Sequence, residues 1–214
     1  MARTYSVKEL FYTLQGEGAH AGRAAVFCRF SGCNLWTGLE NDRADAICTF
    51  CDTDFVGTNG DGGGKFKSAK DLAAAARALF PDGGIPYIVC TGGEPLLQLD
   101  ANLIDAFHAQ GFEIAVETNG TIKAPDGIDW VCVSPKIGSK LVQKSGNELK
   151  LVYPQTEGAP EQFKDLDFDH FFLQPMDCMD KTVNNDHTKR VIEFCKDNPQ
   201  WRISLQSHKI MNIP

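Results

Sequence analysis

The sequence predicts an α/β fold, built as a partial, open β/α barrel with a reduced helical layer. Three observations predict it. Seven short apolar runs rich in β-branched and aromatic residues punctuate the chain. Helical stretches lie between some of them, and strands alternating with helices imply a parallel sheet. Seven strands in 214 residues fall short of the eight strands and about 250 residues of a closed barrel.

The predicted strands are Ala24–Phe30, Tyr87–Thr91, Phe112–Thr118, Trp130–Ser134, Glu148–Tyr153, His170–Gln174 and Trp201–Gln206. A helix over Ser68–Phe80 opens with Ser68 as cap and runs through four alanines. A second, over Asp100–Gln110, stops before Gly111. A third covers Thr182–Lys196, with Val191 and Cys195 one turn apart on a buried face. Gly57–Gly64 reads as a flexible loop and Gly38–Ala46 as a polar one. One domain spanning residues 1–214 is the expectation.

Hydrophobic residues make up 43% of the chain, enough for a core. A net charge of −7 argues against broad binding to nucleic acid. No apolar run reaches the roughly 18 residues of a membrane span. The stretch Met1 to Leu10 carries charges rather than a signal-peptide core. A cytoplasmic protein is expected, and its eight cysteines then read as metal ligands and buried thiols rather than disulfides.

Cys33 is followed by fourteen residues, then Cys48, two residues and Cys51. Thiolates at such spacing suit zinc or an iron–sulfur cluster. Three are one short of a closed zinc site, whereas a [4Fe–4S] cluster with three thiolates keeps one iron open for a small ligand. Phe50, directly before the last cysteine, could stack on an adenine. Thr91-Gly92-Gly93-Glu94-Pro95 follows the second predicted strand. Its glycines permit close backbone approach by an amino acid ligand, with Glu94 or a carbonyl meeting the ammonium. Its plainer reading is a turn into a helix with Pro95 at the first position. Cys28, Cys90 and Cys132 read as buried hydrophobes.

Arg29 sits in an apolar strand, where a guanidinium needs a partner: a substrate carboxylate gripped through two hydrogen bonds, or a structural ion pair. Leu14-Gln15-Gly16-Glu17-Gly18 is an ordinary polar turn or a reader of donor and acceptor groups. Glu117, Ser134 and Lys136, and Gln174 to Asp177, are polar groups at strand ends, suited to a ribose or a helix cap.

These motifs together resemble the radical S-adenosylmethionine (SAM) superfamily, and within it the 7-carboxy-7-deazaguanine synthase family. The resemblance covers nearly the whole chain. It is carried by Phe11–Gly18, Gly22–Cys33, Cys48–Thr53, Thr91–Pro95, Glu117–Gly120, Ser134–Lys136, Gln174–Asp177 and Gln206–Pro214. It departs from most of the superfamily in the fourteen-residue gap, where three are usual. Only the sulfurs must converge, and loop length adds entropy slowly, so residues 34–47 are expected to elaborate the cluster loop.

The resemblance implies a barrel of the radical SAM type and a [4Fe–4S] cluster on Cys33, Cys48 and Cys51. It implies SAM bound by Phe50, Cys51, Asp52, Gly92, Gly93, Glu94, Glu117, Ser134, Pro135, Lys136, Gln174, Pro175, Met176 and Asp177. It further implies Mg²⁺ on Thr53, although the residue types alone would favour Asp52 or Asp54. The implied substrate is 6-carboxy-5,6,7,8-tetrahydropterin, held by Leu14, Gln15, Gly16, Glu17, Arg29, Thr91, His208 and the terminal Pro214. A 5′-deoxyadenosyl radical would take its hydrogen, and the ring would contract to 7-carboxy-7-deazaguanine with loss of ammonia, for queuosine-type biosynthesis. No side chain is assigned as the chemical catalyst, since the radical acts. A flavodoxin or ferredoxin as electron donor and a homodimer are also implied. The rival readings are another radical SAM enzyme, such as a glycyl-radical activator, and a zinc-stabilised binding module, which predicts one zinc and no SAM binding.

Overall fold

The computed structural model describes residues 3–155, 158–178 and 180–214. Its frame is one open sheet of nine strands. In chain order they are β1 (Tyr5–Leu14), β2 (Ala24–Phe30), β3 (Gly64–Phe66), β4 (Tyr87–Gly92), β5 (Glu113–Thr118), β6 (Trp130–Val133), β7 (Ser145–Tyr153), β8 (Asp167–Pro175) and β9 (Trp201–Ile203). The sheet order is β3-β1-β2-β4-β5-β6-β7-β8-β9.

The seven strands expected from sequence are the seven that run parallel, from β2 to β9. The two missed strands, β1 and β3, are the antiparallel ones at one edge. β1 escapes a hydropathy reading because Lys8 and Glu9 interrupt it, at a register shift between Val7 and Glu9. The Gly57–Gly64 segment, expected to be flexible, lies against β1: Gly60 N donates to Lys8 O at 2.9 Å and Leu10 N to Asp61 O at 2.7 Å.

Helices cover one face. α1 (Ala69–Leu79) is capped by the Ser68 hydroxyl, and α2 (Ala101–Ala109) by the Asp100 carboxylate. α3 (Lys181–Asp197) is capped by Asp180 and buries Val191. A short α4 (Ser207–Met211) closes the described chain. Few helices accompany seven parallel strands, so the helical layer is reduced as expected. None is long and apolar enough to cross a membrane.

The alternation of the strands decides what each face carries. Val26, Cys28 and Phe30 of β2, Ile88 and Cys90 of β4, and Ile114 and Val116 of β5 pack under α1 and α2. Leu149 and Leu151 of β7 and Leu173 of β8 pack with Val191 and Trp201. The intervening residues point to the other face, and there the strands place Arg29, Thr91, Glu117, Lys150 and Gln174 around one cavity. Burying each strand's outer face therefore delivers the polar residues to the inner one.

The sheet also curls. The turn after β1 crosses to the far strands: Gly18 N donates to Ser204 Oγ at 2.9 Å, and Ala19 N to Glu148 Oε2 at 2.9 Å. Ser207 N reaches back to Gly16 O at 2.9 Å.

Candidate active site

A cavity of about 450 Å³ opens at the C-terminal ends of the parallel strands, where α/β folds gather their ligands. Cys33, Cys48 and Cys51 all line it. Cys33 follows β2 by three residues, so the strand end fixes its place. The Cys48 thiol hydrogen-bonds Cys51 and brings it down to about 6, while Cys48 itself is pushed up. Burial raises Cys33.

The long gap between the first two cysteines is folded. Glu40–Asp45 forms a 3-10 turn, and Ile47 N and Cys48 N both donate to Leu35 O. Arg43 lies over the Trp36 ring at 4.0 Å and donates to Thr49 O at 2.9 Å and Cys51 O at 3.1 Å. The insertion thus clamps the backbone around Cys51. It also lends Leu35 and Trp36 to the cavity wall.

The Gly-Gly-Glu-Pro turn braces this loop from below. Glu94 N donates to Gly32 O at 2.9 Å, and Gly93 N to Phe30 O at 3.3 Å. A Cβ on Gly93 would stand 2.2 Å from Gly32 O, and one on Gly92 2.4 Å from Phe30 O. The glycines were expected to admit a ligand; the neighbour their Cβ atoms would strike is the chain's own backbone, although both residues also line the cavity.

Glu94 and Pro135 are the two expected SAM-binding residues that do not line the cavity. The Glu94 carboxylate is wholly buried. It accepts from Leu96 N at 2.9 Å, Thr118 Oγ1 at 2.8 Å and Asn119 N at 2.8 Å. It does not meet an ammonium as expected, because it lies wholly buried off the cavity wall. Burial raises its pKa above the usual value. Asn119 then holds Asn34, next to Cys33, at 3.0 Å.

The other expected residues lie on the cavity wall. Lys136 Nζ donates to Ser134 O and Oγ, both at 2.7 Å. Burial lowers its pKa, against the pull of Cys48 and Cys51. Thr53 sits between Asp52, paired with Lys209 at 2.9 Å, and Asp54, paired with Lys8 at 2.7 Å. Asp177 meets the same Lys209 at 2.6 Å. Phe50, Thr91, Pro175 and Met176 also line the wall.

At the opposite side lies the turn after β1. Gly16 packs against His208, so closely that a Cβ would stand 2.3 Å from Nδ1. Gln15 Nε2 donates to Glu117 Oε1 at 2.9 Å. Glu17 accepts from Gln174 Nε2 at 3.2 Å, Gln206 Nε2 at 3.1 Å and Lys150 Nζ at 2.5 Å. Burial alone would raise Glu17; the Lys150 charge and these bonds bring it down to about 2. Arg29 Nε donates to Glu9 at 2.6 Å. Leu14 lines the wall, as does Pro214, whose carbonyl accepts from Thr13 Oγ1 at 3.0 Å.

Sequence reasoning missed Lys150 and Trp36, and included Asn119, Gln206 and Lys209 only within motifs, without a role at the site. Lys150 was hidden in a run read only as an apolar strand. A cation between Leu149 and Leu151 was the available signal, the same one that singled out Arg29.

Among the described residues no trio of His, Cys, Asp or Glu converges on a single metal ion. The three cysteines fit a cluster, whose thiolates bind different irons: Cys48 and Cys51 hydrogen-bond each other, and Cys33 is near enough to act electrostatically on Cys48 and to feel Cys51. The remaining five cysteines lie elsewhere: Cys28, Cys90 and Cys132 are buried in strands, Cys195 is in α3 and Cys178 is exposed.

Comparison with known proteins agrees. A family model described as the radical SAM superfamily matches residues 42–195. The chain is 61% identical to the 7-carboxy-7-deazaguanine synthase of Caulobacter vibrioides, across 99% of this chain and 100% of that one. It is 62% identical to that of Bordetella pertussis, across 98% and 99%. A crystal structure of QueE from Escherichia coli superposes with a TM-score of 0.68 at 26% identity, covering 94% of this chain and 93% of that one. With its cysteine triplet on the cavity wall and near full-length identity to these enzymes, the chain belongs to the radical SAM superfamily and, within it, to the 7-carboxy-7-deazaguanine synthase family.

Proposed function

We propose that the chain converts 6-carboxy-5,6,7,8-tetrahydropterin to 7-carboxy-7-deazaguanine, with release of ammonia. The observation that carries this reading is the single cavity, which joins a three-cysteine wall to a polar wall matched to a pterin. When bound, a [4Fe–4S] cluster on Cys33, Cys48 and Cys51 together with SAM supplies a 5′-deoxyadenosyl radical for hydrogen abstraction.

The chain's own residues bind and orient. Glu17, Gln15 and Glu117 offer acceptors to the donor edge of the pterin ring. Glu9 takes the Arg29 Nε, and no described residue takes its two terminal nitrogens, whose fork suits the substrate carboxylate. Phe11 and Phe27, stacked at 5.6 Å, form an apolar wall that excludes water. His208 and Pro214 complete the substrate wall. Phe50, Ser134, Lys136 and the Gln174–Asp177 turn serve SAM, whereas Glu117, expected to hold the SAM ribose, lies against Gln15 and Lys150 and is assigned to the pterin side. With Glu94 buried off the cavity wall, the SAM ammonium falls to backbone carbonyls of the Gly92–Gly93 turn.

Mg²⁺ binds Thr53 in this reading. Lysines pair with both flanking carboxylates, and no described residue bonds the Thr53 hydroxyl, which leaves it the free hard oxygen. The reductant is a flavodoxin or ferredoxin, the assembly a homodimer and the compartment the cytoplasm.

The test is anaerobic reconstitution with iron and sulfide, then reduction with SAM, Mg²⁺ and the carboxylated tetrahydropterin. Product of the mass and ultraviolet spectrum of 7-carboxy-7-deazaguanine is expected, lost in Cys48→Ala and weakened without Mg²⁺. SAM cleavage that leaves the pterin untouched would refute the substrate.

A further inference from the structure

The inner face of β7 buries a lysine that no part of the assigned chemistry uses. Lys150 stands between Leu149 and Leu151, which face the core. Its side chain is 4% exposed. Nζ meets Glu17 Oε2 at 2.5 Å and Glu117 Oε2 at 3.2 Å. One carboxylate comes from the turn after β1 and the other from the end of β5, and all three residues line the cavity. We infer that Lys150 is a positioning residue for the substrate's donor edge, holding Glu17 and Glu117 together as acceptors. The inference rests on the pterin reading above.

Two carboxylates on one wall repel, and one would take up a proton unless a cation lay between them. A protonated carboxyl presents a donor where the ring's N–H groups need an acceptor. Lys150 prevents this while leaving lone pairs free. Among the described residues, Glu17 Oε2 accepts only from Lys150 and Glu117 Oε1 only from Gln15, and each oxygen can accept twice. Two carboxylates and one ammonium also leave one negative charge on the wall, which suits a donor-rich edge. A merely structural role is a weak account of this, since apolar residues of similar volume often stabilise as well as a buried ion triad. The other charged or titratable groups facing the triad are His208 from α4, Cys132 from β6, Glu148 from β7, Lys136 beyond β6, Tyr87 from β4 and His20 from the turn after β1.

The experiment compares the cluster-loaded parent with Lys150→Met and Lys150→Arg. Cluster content and SAM affinity are measured first, then KM and kcat for the carboxylated tetrahydropterin from pH 6 to 9. Lys150→Met is expected to keep cluster and SAM and to raise KM about tenfold or more at pH 7. The increase should shrink as pH rises and the carboxylates regain charge. Lys150→Arg should restore a KM that varies little with pH. An unchanged KM in Lys150→Met, or a rise with no pH dependence, would overturn the inference. Carbon-13-labelled glutamate carboxyls report the same point without substrate. Glu17 of the parent should stay ionised far below pH 4, and titration in the ordinary range overturns the proposal even if Lys150→Met does not fold. Failure of the parent to turn over the pterin would instead strike the proposed function.

Discussion

The two walls of the cavity are held by different physics. On the cluster wall, the loops after β2, β4 and β5 interlock through backbone. Glu94 N and Gly93 N donate to the carbonyls just before Cys33, and Asn119 N donates to the Glu94 carboxylate. On the substrate wall, side-chain charges join segments distant in the chain. Lys150 pairs with Glu17, and Lys209 pairs with Asp52 and Asp177. Backbone contacts fix positions for a rigid inorganic cluster and tolerate no added atom. Ion pairs tolerate displacement but depend on protonation. The first wall should therefore fail by steric substitution and the second by acid.

The largest effect should come from Gly93→Ala. Its Cβ would stand 2.2 Å from Gly32 O and 2.8 Å from the Cys33 Cβ, and a backbone carbonyl has little room to yield. Overpacking of this kind costs about 1–3 kcal/mol, and an unyielding backbone neighbour places it toward the upper end. Iron content after reconstitution should drop sharply and Tm should fall. A variant that loads iron normally would show that the two loops are not locked together.

Acid comes next, with opposite signs on the two walls. Glu17 is brought down to about 2 from an ordinary value of 4.5. Its stabilisation is present above pH 4.5 and is lost as pH falls toward 2, on the order of 3 kcal/mol across that window. Glu94 is raised by burial, so the folded state favours its protonated form. That contribution is present at low pH and lost as pH rises through its folded value. Between pH 6 and 3, hydrogen-exchange protection should fall at Gln206–Met211 while Leu96 and Asn119 keep theirs. Parallel loss at both walls would erase the distinction drawn between them.

The same division governs what could be read from sequence. The cluster wall was legible because its groups stand in short contiguous motifs on consecutive parallel strands, each strand announced by an apolar run. What escaped there was the role of the parts: Glu94 and the glycines brace the loop, and a linear motif does not show which neighbour folds against it. The substrate wall was legible only as residue names. Glu17 and Lys150 meet across 133 positions, and no periodicity encodes such a meeting. β1 was missed for a related reason. Lys8 spoils its hydropathy, yet is satisfied by Asp54, Asn59 and the Val56 carbonyl, all in a loop about fifty positions away.

Glu94→Gln probes the brace more gently than Gly93→Ala. The amide keeps one acceptor oxygen but sets an NH₂ against either Asn119 N or the pair Leu96 N and Thr118 Oγ1. At least one buried donor loses its acceptor, and the amide's own N–H groups face donors, at a cost of about 2 kcal/mol or more. Urea unfolding of the cluster-loaded protein measures it. A loss under about 0.5 kcal/mol would mean that the carboxylate's bonds are readily replaced, and the cluster wall would owe its rigidity to the glycines alone.

The smallest effect on stability, and the sharpest test of the substrate wall, belongs to Lys209→Met. Lys209 ties α4 to Asp52 beside Cys51 and to Asp177 beyond β8, and it also meets Gln206 Oε1 at 3.0 Å. Its ion pairs are partly exposed, so water and salt screen them and their loss should cost less than about 1 kcal/mol. Function should respond more strongly than stability, because α4 carries His208 against Gly16 and leads to Pro214 on the cavity wall. KM for the pterin should rise several-fold, about 1 kcal/mol in binding, with iron content unchanged. Added salt should weaken pterin binding in the parent and do little more in the variant, since the screened pairs are already gone. Equal salt sensitivity in both proteins would place the electrostatic hold on this wall elsewhere, with the buried Lys150 triad as its remaining source.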